Sequence, residues 1–206
     1  MDRCDVLVCG GGPAGLSAAI GAARAGADTV LIERWSCFGG TITTVGIEHI
    51  GWYRYEGTSD CEGIGREMER VAERLGASCK WPFNESPCLD ADMFKVIADN
   101  LIQDAGVRPY LHTFVVDVLM EGEKITGAIT ESKSGRQAIL AKRVIDCTGD
   151  ADVAYLCGAP YTSLPLSESL GCTTVFSASN IDKEKFEAHV AANPRTYADW
   201  DEGDWQ

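Results

Sequence analysis

The chain has 206 residues, 45% of them hydrophobic and 24% charged, which is the make-up of a globular protein with room for one domain and the beginning of a second. Its formal net charge of -13, with no stretch that concentrates Lys and Arg, excludes nucleic acid and an anionic membrane as expected partners. Nine cysteines, an odd number scattered from Cys4 to Cys172 with no Cys-x-x-Cys pair and no histidine at ligand spacing, read as reduced thiols and predict neither a disulfide scaffold nor a metal.

Met1 to Cys4 leads straight into an apolar strand without a signal region. Nowhere does the sequence hold the roughly 18 uninterrupted apolar residues of a membrane helix, so a cytoplasmic location is expected. Asp5-Val6-Leu7-Val8-Cys9 stops at three glycines, as a strand buried on both faces of a parallel sheet does. From Ala14 to Ala25 the alanines, Leu16 and Ile20 predict a small-residue helix with Gly26 as its C-terminal cap. Thr29 to Ile32 gives a second strand ending at Glu33, so residues 5–33 form one βαβ unit with a right-handed connection.

Ile64, Met68, Val71, Ala72 and Leu75 recur at helical spacing before Gly76. Met93, Phe94, Ile97, Ala98, Leu101 and Ala105 do so between a capping Asp90 and Gly106, so two amphipathic helices are predicted. Thr113 to Met120, Lys124 to Glu131 and Gln137 to Ala141 read as an antiparallel β-meander, after which Val144-Ile145-Asp146 forms a further buried strand. After Asp182, acids with Trp200 and Trp205 replace aliphatic residues, and that tail is expected to be poorly ordered.

Gly10-Gly11-Gly12-Pro13-Ala14-Gly15 fits G-x-G-x-x-G after a strand and at the opening of a helix, the context the motif requires. Gly10 permits the tight turn, Gly12 lets the backbone approach a pyrophosphate, and Gly15 lets the helix pack close to the strand. The helix N-terminus then meets the anion, and Glu33 is placed to accept hydrogen bonds from both hydroxyls of an adenosine ribose. These residues predict a dinucleotide site and leave NAD and FAD both open; an acid in this place makes NADP the least favoured.

The choice comes from a resemblance. The extended fingerprint, with Ala19 and Gly26 after Gly15, the run Glu33-Arg34 followed by Phe38-Gly39-Gly40-Thr41, and Val144-Ile145-Asp146-Cys147-Thr148-Gly149-Asp150 together resemble the FAD-dependent oxidoreductases of the glutathione-reductase-like class, which carries two dinucleotide-binding motifs. The continuation through Ala151-Asp152-Val153-Ala154 and Gly158-Ala159-Pro160 is similar as well. The resemblance implies FAD, with Gly39, Gly40 and Thr41 running under the pyrophosphate and ribityl chain. It implies that Asp150, in the Thr148-Gly149-Asp150 turn, holds the ribityl or pyrophosphate region, and that Val116 sets its backbone against the adenine. Disulfide-reducing members place a cysteine pair after the Gly-Gly; Thr41 to Gly46 contains none, so dithiol chemistry beside the flavin is not expected. Cys37 reads as a small packed residue. Glu48, His49 and Trp52 are candidates near the flavin, and no catalytic residue is assigned.

The expected fold is α/β, a Rossmann-like FAD-binding domain with a central parallel sheet, helices and an antiparallel meander over residues 1–160. Residues 161–206 would begin a substrate domain whose first strand is Thr173 to Ala178, left incomplete in this chain. The expected function is an FAD-binding oxidoreductase passing hydride or electrons between a small organic substrate and FAD, with a partner subunit, further chain or a second copy completing the site. A non-catalytic flavin carrier and an NAD-binding dehydrogenase domain are the alternatives.

Overall fold

The computed structural model describes residues 1–50, 62–80, 87–169, 171–176 and 178–193. Two compact units result, Met1–Cys172 and Thr173–Gln206, and the expected boundary at residue 160 falls inside the first.

The first unit opens with the anticipated βαβ: β1 (Asp2–Cys9), α1 (Pro13–Arg24) and β2 (Thr29–Ile32). A π-helical turn at Thr41–Val45 precedes α2 (Ile64–Arg74), β3 (Ser78–Lys80), β4 (Pro87–Leu89), α3 (Ala91–Asp104) and β5 (Arg108–Tyr110). Asp90 caps α3 by accepting a hydrogen bond from the Met93 amide at 2.8 Å. The meander is β6 (Phe114–Glu121), β7 (Lys124–Ser132) and β8 (Gly135–Asp146), followed by the short α4 (Asp152–Leu156).

A six-stranded sheet runs β5-β2-β1-β8-β7-β6, with β3 and β4 paired separately. β1 is central, pairing parallel with β2 on one side and with β8 on the other. β2 pairs parallel with β5, while β6–β7 and β7–β8 are antiparallel. The two segments expected as separate strands, Gln137 to Ala141 and Val144 to Asp146, are one strand, β8. Its first half answers β7 and its second half answers β1, with Leu140 opposite both Gly127 and Arg3. Lys142 and Arg143 are exposed, and Lys142 pairs with Asp5 at 2.5 Å, so the charges sit on a strand they do not interrupt.

Alternation along β1 divides the core. Val8 joins Leu16, Ala19 and Ile20 of α1, Met68 of α2 and Phe94, Ile97 and Ala98 of α3 in one cluster. Leu7 and Cys9 face the other way, toward Val30, Ile32, Val118, Ala128, Ile139 and Val153, so the meander and α4 cover that side. Burying each such Leu, Ile, Val or Phe contributes roughly 1.5–3 kcal/mol. α1 can lie this close because Gly15 has no side chain: a Cβ there would stand 1.7 Å from the Gly10 carbonyl oxygen. Beside the N-terminal ends of β1 and β2, the Arg108 guanidinium joins Asp2 at 2.5 Å and Asp28 at 3.0 Å and ties β5 into place.

In the second unit the structure differs from one expectation and adds a helix. Thr173 to Phe176 belong to no strand, because among the described residues no neighbour supplies the ladder they would need. Part of the tail is helical: α5 (Lys183–Ala192) starts at Asp182, whose carboxylate accepts from the Lys185 amide, and none of its residues is buried.

Candidate functional site

The carboxyl ends of β1, β2 and β8 open into one cleft of about 610 Å³, the size of a small-molecule site and the place where open α/β sheets hold ligands. Gly10, Gly12, Pro13 and Ala14 form its floor, Ile32 to Trp35 one wall, Gly40, Thr41, Thr44 and Val45 another, and Cys147 to Asp150 a third. The start of the meander, Thr113 to Val115, and Asp152 complete the lining.

The floor is set by backbone approach. Gly10 has φ +99°, and a Cβ there would meet the Cys147 carbonyl oxygen at 2.3 Å, so β8 can lie against the turn only because of glycine. Gly12 differs. Its φ of -70° suits any residue, and the nearest atom to a Cβ built on it is the Gly40 Cα at 3.8 Å. The protein itself therefore does not require glycine at this position; the space over Gly12 is left open toward the cleft. Gly12 is the N-cap of α1 without a side-chain cap, and Pro13 occupies the first turn, so the amide dipoles of the helix face the cleft uncapped. Gly40 presses on the same point, where a Cβ would meet the Gly12 Cα at 2.9 Å.

Glu33 organises the β2 wall. Only 5% exposed, it accepts from the Gly11 amide at 2.7 Å through one carboxylate oxygen and from the Trp35 amide at 2.8 Å through the other. Its own amide donates to the Tyr110 carbonyl, and its carbonyl accepts from the Thr113 amide, so one residue connects the glycine turn, β5 and the start of β6. The neighbouring Arg34 lies over the Trp35 ring, 5.3 Å from its centre, at the edge of the cleft.

Asp146 plays the equivalent part at the end of β8, where it is paired with Cys9. Its Oδ1 accepts from the Thr148 amide at 3.0 Å and the Thr148 hydroxyl at 2.7 Å, and its Oδ2 accepts from the Ala154 amide at 3.0 Å. Burial alone would raise its pKa; these donors and the Val153 amide outweigh burial and hold the carboxyl below its ordinary value. Thr148 Oγ1 accepts in turn from the Asp152 amide at 2.9 Å. Between these bonds Gly149 at φ +91° and Ala151 at φ +59° turn the chain, the latter a left-handed alanine costing about 1 kcal/mol. Asp150 is left exposed in the cleft lining.

The residues assigned to the cofactor in the sequence reach the cleft lining except Gly15, Gly39 and Val116. Gly15 packs underneath, and the Gly39 amide donates to the Gly11 carbonyl behind the wall. Val116 falls at a β-bulge between Val115 and Asp117, and the residues before it face the cleft instead. Among the further candidates, Glu48 accepts from the Ala91 amide at the start of α3 and His49 bridges to Cys88, neither in the lining; Trp52 lies outside the described residues. Cys37 stays out of the lining. Cys147 reaches it, but burial, then the Asp146 charge, raises its pKa, and the same causes push Cys9 beneath it up to about 12. Motif reading missed Ile32, Trp35, Thr44, Val45, Thr113 to Val115, Cys147 and Asp152 in the lining, and Asp146 just behind it. Among the described residues no group of three or more His, Cys, Asp or Glu is placed to hold a metal ion, and no helix is long and apolar enough to cross a membrane.

A Gly-rich turn opening onto an uncapped helix, an acid closing the second strand and a cleft at the strand ends define a Rossmann-type dinucleotide-binding protein. Residues 5–204 match the family of FAD dependent oxidoreductases, and the chain belongs to that family. It is 31% identical over 160 residues to the thiamine thiazole synthase of Methanococcus vannielii, which covers 72% of this chain and 58% of that protein. The same enzyme of a Methanococcus maripaludis strain is 28% identical over 162 residues, so the chain spans 58% of the length of these curated relatives. Among solved structures, a geranylgeranyl bacteriochlorophyll reductase-like protein from Thermoplasma acidophilum superposes with a TM-score of 0.58 at 26% identity, over 77% of this chain and 42% of that one. THI4 of Thermovibrio ammonificans shares the fold, with a TM-score of 0.54 at 22% identity over 75% of this chain and 61% of that one.

FAD is the cofactor of this flavoprotein oxidoreductase family, and the cleft fits it. The open space over Gly12 and the uncapped amides of α1 suit a pyrophosphate, and the buried carboxylate of Glu33 beside them suits a ribose.

Proposed function

We propose that the chain is the FAD-binding portion of an oxidoreductase of the glutathione-reductase-like class, acting on a small organic substrate in the cytoplasm. The observation that carries this is Gly12, a glycine the fold does not need, standing where a pyrophosphate needs one. In this reading the pyrophosphate lies over Gly12 against the backbone of Gly12 and Ala14, with Pro13 presetting the first helical turn, while Gly10 makes the turn and Gly15 lets α1 pack beneath it. The carboxylate of Glu33 accepts from the ribose hydroxyls, and Arg34 flanks the adenosine end together with the backbone near Val116. Gly39, Gly40 and Thr41 bear on the ribityl side. Thr148, Gly149 and Asp150 hold it from across the cleft, and Asp146 fixes that turn without touching the cofactor. When bound, FAD supplies the two-electron chemistry, and the protein's share is to hold it, exclude water and present a substrate.

Residues 1–160 carry the nucleotide functions and residues 161–206 begin the substrate side. Further polypeptide, whether continuous with this chain, in a partner subunit or in a second copy, completes the substrate site; the share of its relatives that the chain spans supports this. The test is anaerobic addition of small organic substrates and of reduced nicotinamide to the flavin-loaded protein. Bleaching of the oxidised flavin band by an organic substrate is expected once the completing polypeptide is present, and not from this chain alone. A flavin that no such compound reduces, even in the completed assembly, would leave a carrier role in place of the enzymatic one.

A further inference from the structure

The β3–β4 ladder sets Cys79 directly opposite Cys88, the only pair among the described cysteines that faces across a strand register. The kind of pairing follows from the other side of β4. There the Ile50 amide donates to the Pro87 carbonyl and the Leu89 amide donates to the Glu48 carbonyl, around the bridge between His49 and Cys88. Backbone groups alternate sides along a strand, so the N–H and C=O of Cys88 itself point to β3 and Cys79–Cys88 is a hydrogen-bonded pair. Such pairs hold their Cα atoms about 5.5 Å apart, inside the span a disulfide bridges. Their Cβ atoms stand roughly 4.5–5.5 Å apart, against about 3.5–4.5 Å in a disulfide, so closure must draw the two strands together. A bond made under that strain is readily reduced, which marks a reversible site and not a structural staple. Access is asymmetric: Cys79 is exposed, while Cys88 is 8% exposed.

We propose that Cys79 and Cys88 are an oxidation site that takes a low-molecular-weight organic disulfide and closes reversibly to a cross-strand disulfide. The Cys79 thiolate attacks one sulfur of the small disulfide, forming a mixed disulfide and releasing the first small thiol. Cys88 gives up its proton, attacks the Cys79 sulfur and expels the second small thiol. Two cysteine thiols are oxidised, and one small disulfide is reduced to two thiols. Burial, followed by the nearby Cys79 and Glu48, raises the Cys88 pKa, so Cys88 acts as the resolving partner and not as the group that meets the reagent. The site stands apart from the nucleotide cleft, although the Glu48 to Ile50 segment bonded to β4 runs on from the cleft's Thr41–Val45 wall.

The test uses the folded full chain, incubated with glutathione disulfide, alkylated before any reduction and digested for peptide mass spectrometry. The expected product is a peptide pair joined through Cys79 and Cys88, with two thiols lost per chain and both recovered on adding a dithiol. In Cys88→Ser, Cys79 should instead retain one glutathione. Wild-type protein that keeps glutathione on Cys79 without the cross-link, that forms links only between other cysteines, or that remains fully alkylated overturns the proposal. The wild-type map decides the matter even where the variant fails to fold.

Discussion

Substituting Gly12 and Gly15 separately should divide cofactor binding from folding. In Gly12→Ala the new Cβ meets only the Gly40 Cα at 3.8 Å, and φ -70° and ψ -174° are open to alanine. The flavin-free fold should stay within about 1 kcal/mol of wild type, because the roughly 0.4–1 kcal/mol gained from the restricted unfolded chain is offset by alanine's poorer fit at the N-cap. The same methyl stands in the approach to the helix amides, and losing charge-assisted hydrogen bonds there costs about 1.5–3 kcal/mol, roughly 10- to 150-fold in Kd. In Gly15→Ala the Cβ falls 1.7 Å from a backbone oxygen, so α1 must move off β1. Overpacking of that degree costs about 3 kcal/mol or more, which lowers Tm by roughly 6–12 °C in a chain of this size. Thermal melts of flavin-free protein and titration with FAD by fluorescence quenching measure the two effects. A Gly12→Ala protein that binds FAD as wild type does, or that melts as low as Gly15→Ala, would refute the reasoning.

Three further outcomes follow from the same geometry. Glu33→Ala should weaken FAD by roughly 1–3 kcal/mol and, by leaving the Gly11 and Trp35 amides unpaired, should also lower the Tm of the flavin-free protein; an affinity loss with an unchanged melt would show that those two bonds carry no stability. The depressed pKa of Asp146 means that its stabilisation is present above its ordinary value of 3.8 and is lost as pH falls through the lower folded-state value. Asp146→Asn should therefore flatten that part of the acid-unfolding curve and weaken FAD, checked by melts across the acid range and by titration at neutral pH. Phe114→Ala, in the cleft lining and half exposed, should change stability by no more than about 0.5 kcal/mol, roughly 1–2 °C in Tm, while changing FAD affinity; an unchanged Kd would remove the start of β6 from the site.

The legible part of the molecule is the part in which local chemistry decides structure. The glycine turn, α1 and β2 could be read because strand, turn and helix signals follow one another within residues 5–33 and agree. α2 and α3 showed themselves by period, and α3 also by its Asp90 cap. β3, β4 and β5 span three residues each, too short for alternation to register, and β5 exists through Arg108 and its two acidic partners distant in sequence. β8 was split in two because Lys142-Arg143 looks like a break, whereas a strand changing partners can expose both. On the site, spacing indicates which glycines crowd the turn, and only the structure separates Gly12, which the fold does not need, from Gly10 and Gly15, which it does. A bulge, invisible in sequence, moves the cleft wall from Val116 to Phe114 and Val115. Asp146 carries little signature in the sequence because its partners, apart from the Thr148 hydroxyl, are backbone amides.

The central claim is that this cleft holds FAD, and the most direct measurement is the identity and amount of chromophore released by heat from the purified protein. FAD at close to one per chain, lost in Gly12→Val and restored to wild type by adding FAD back, is the predicted result. Released FMN, or a colourless protein that takes up reduced nicotinamide in place of FAD, would contradict it.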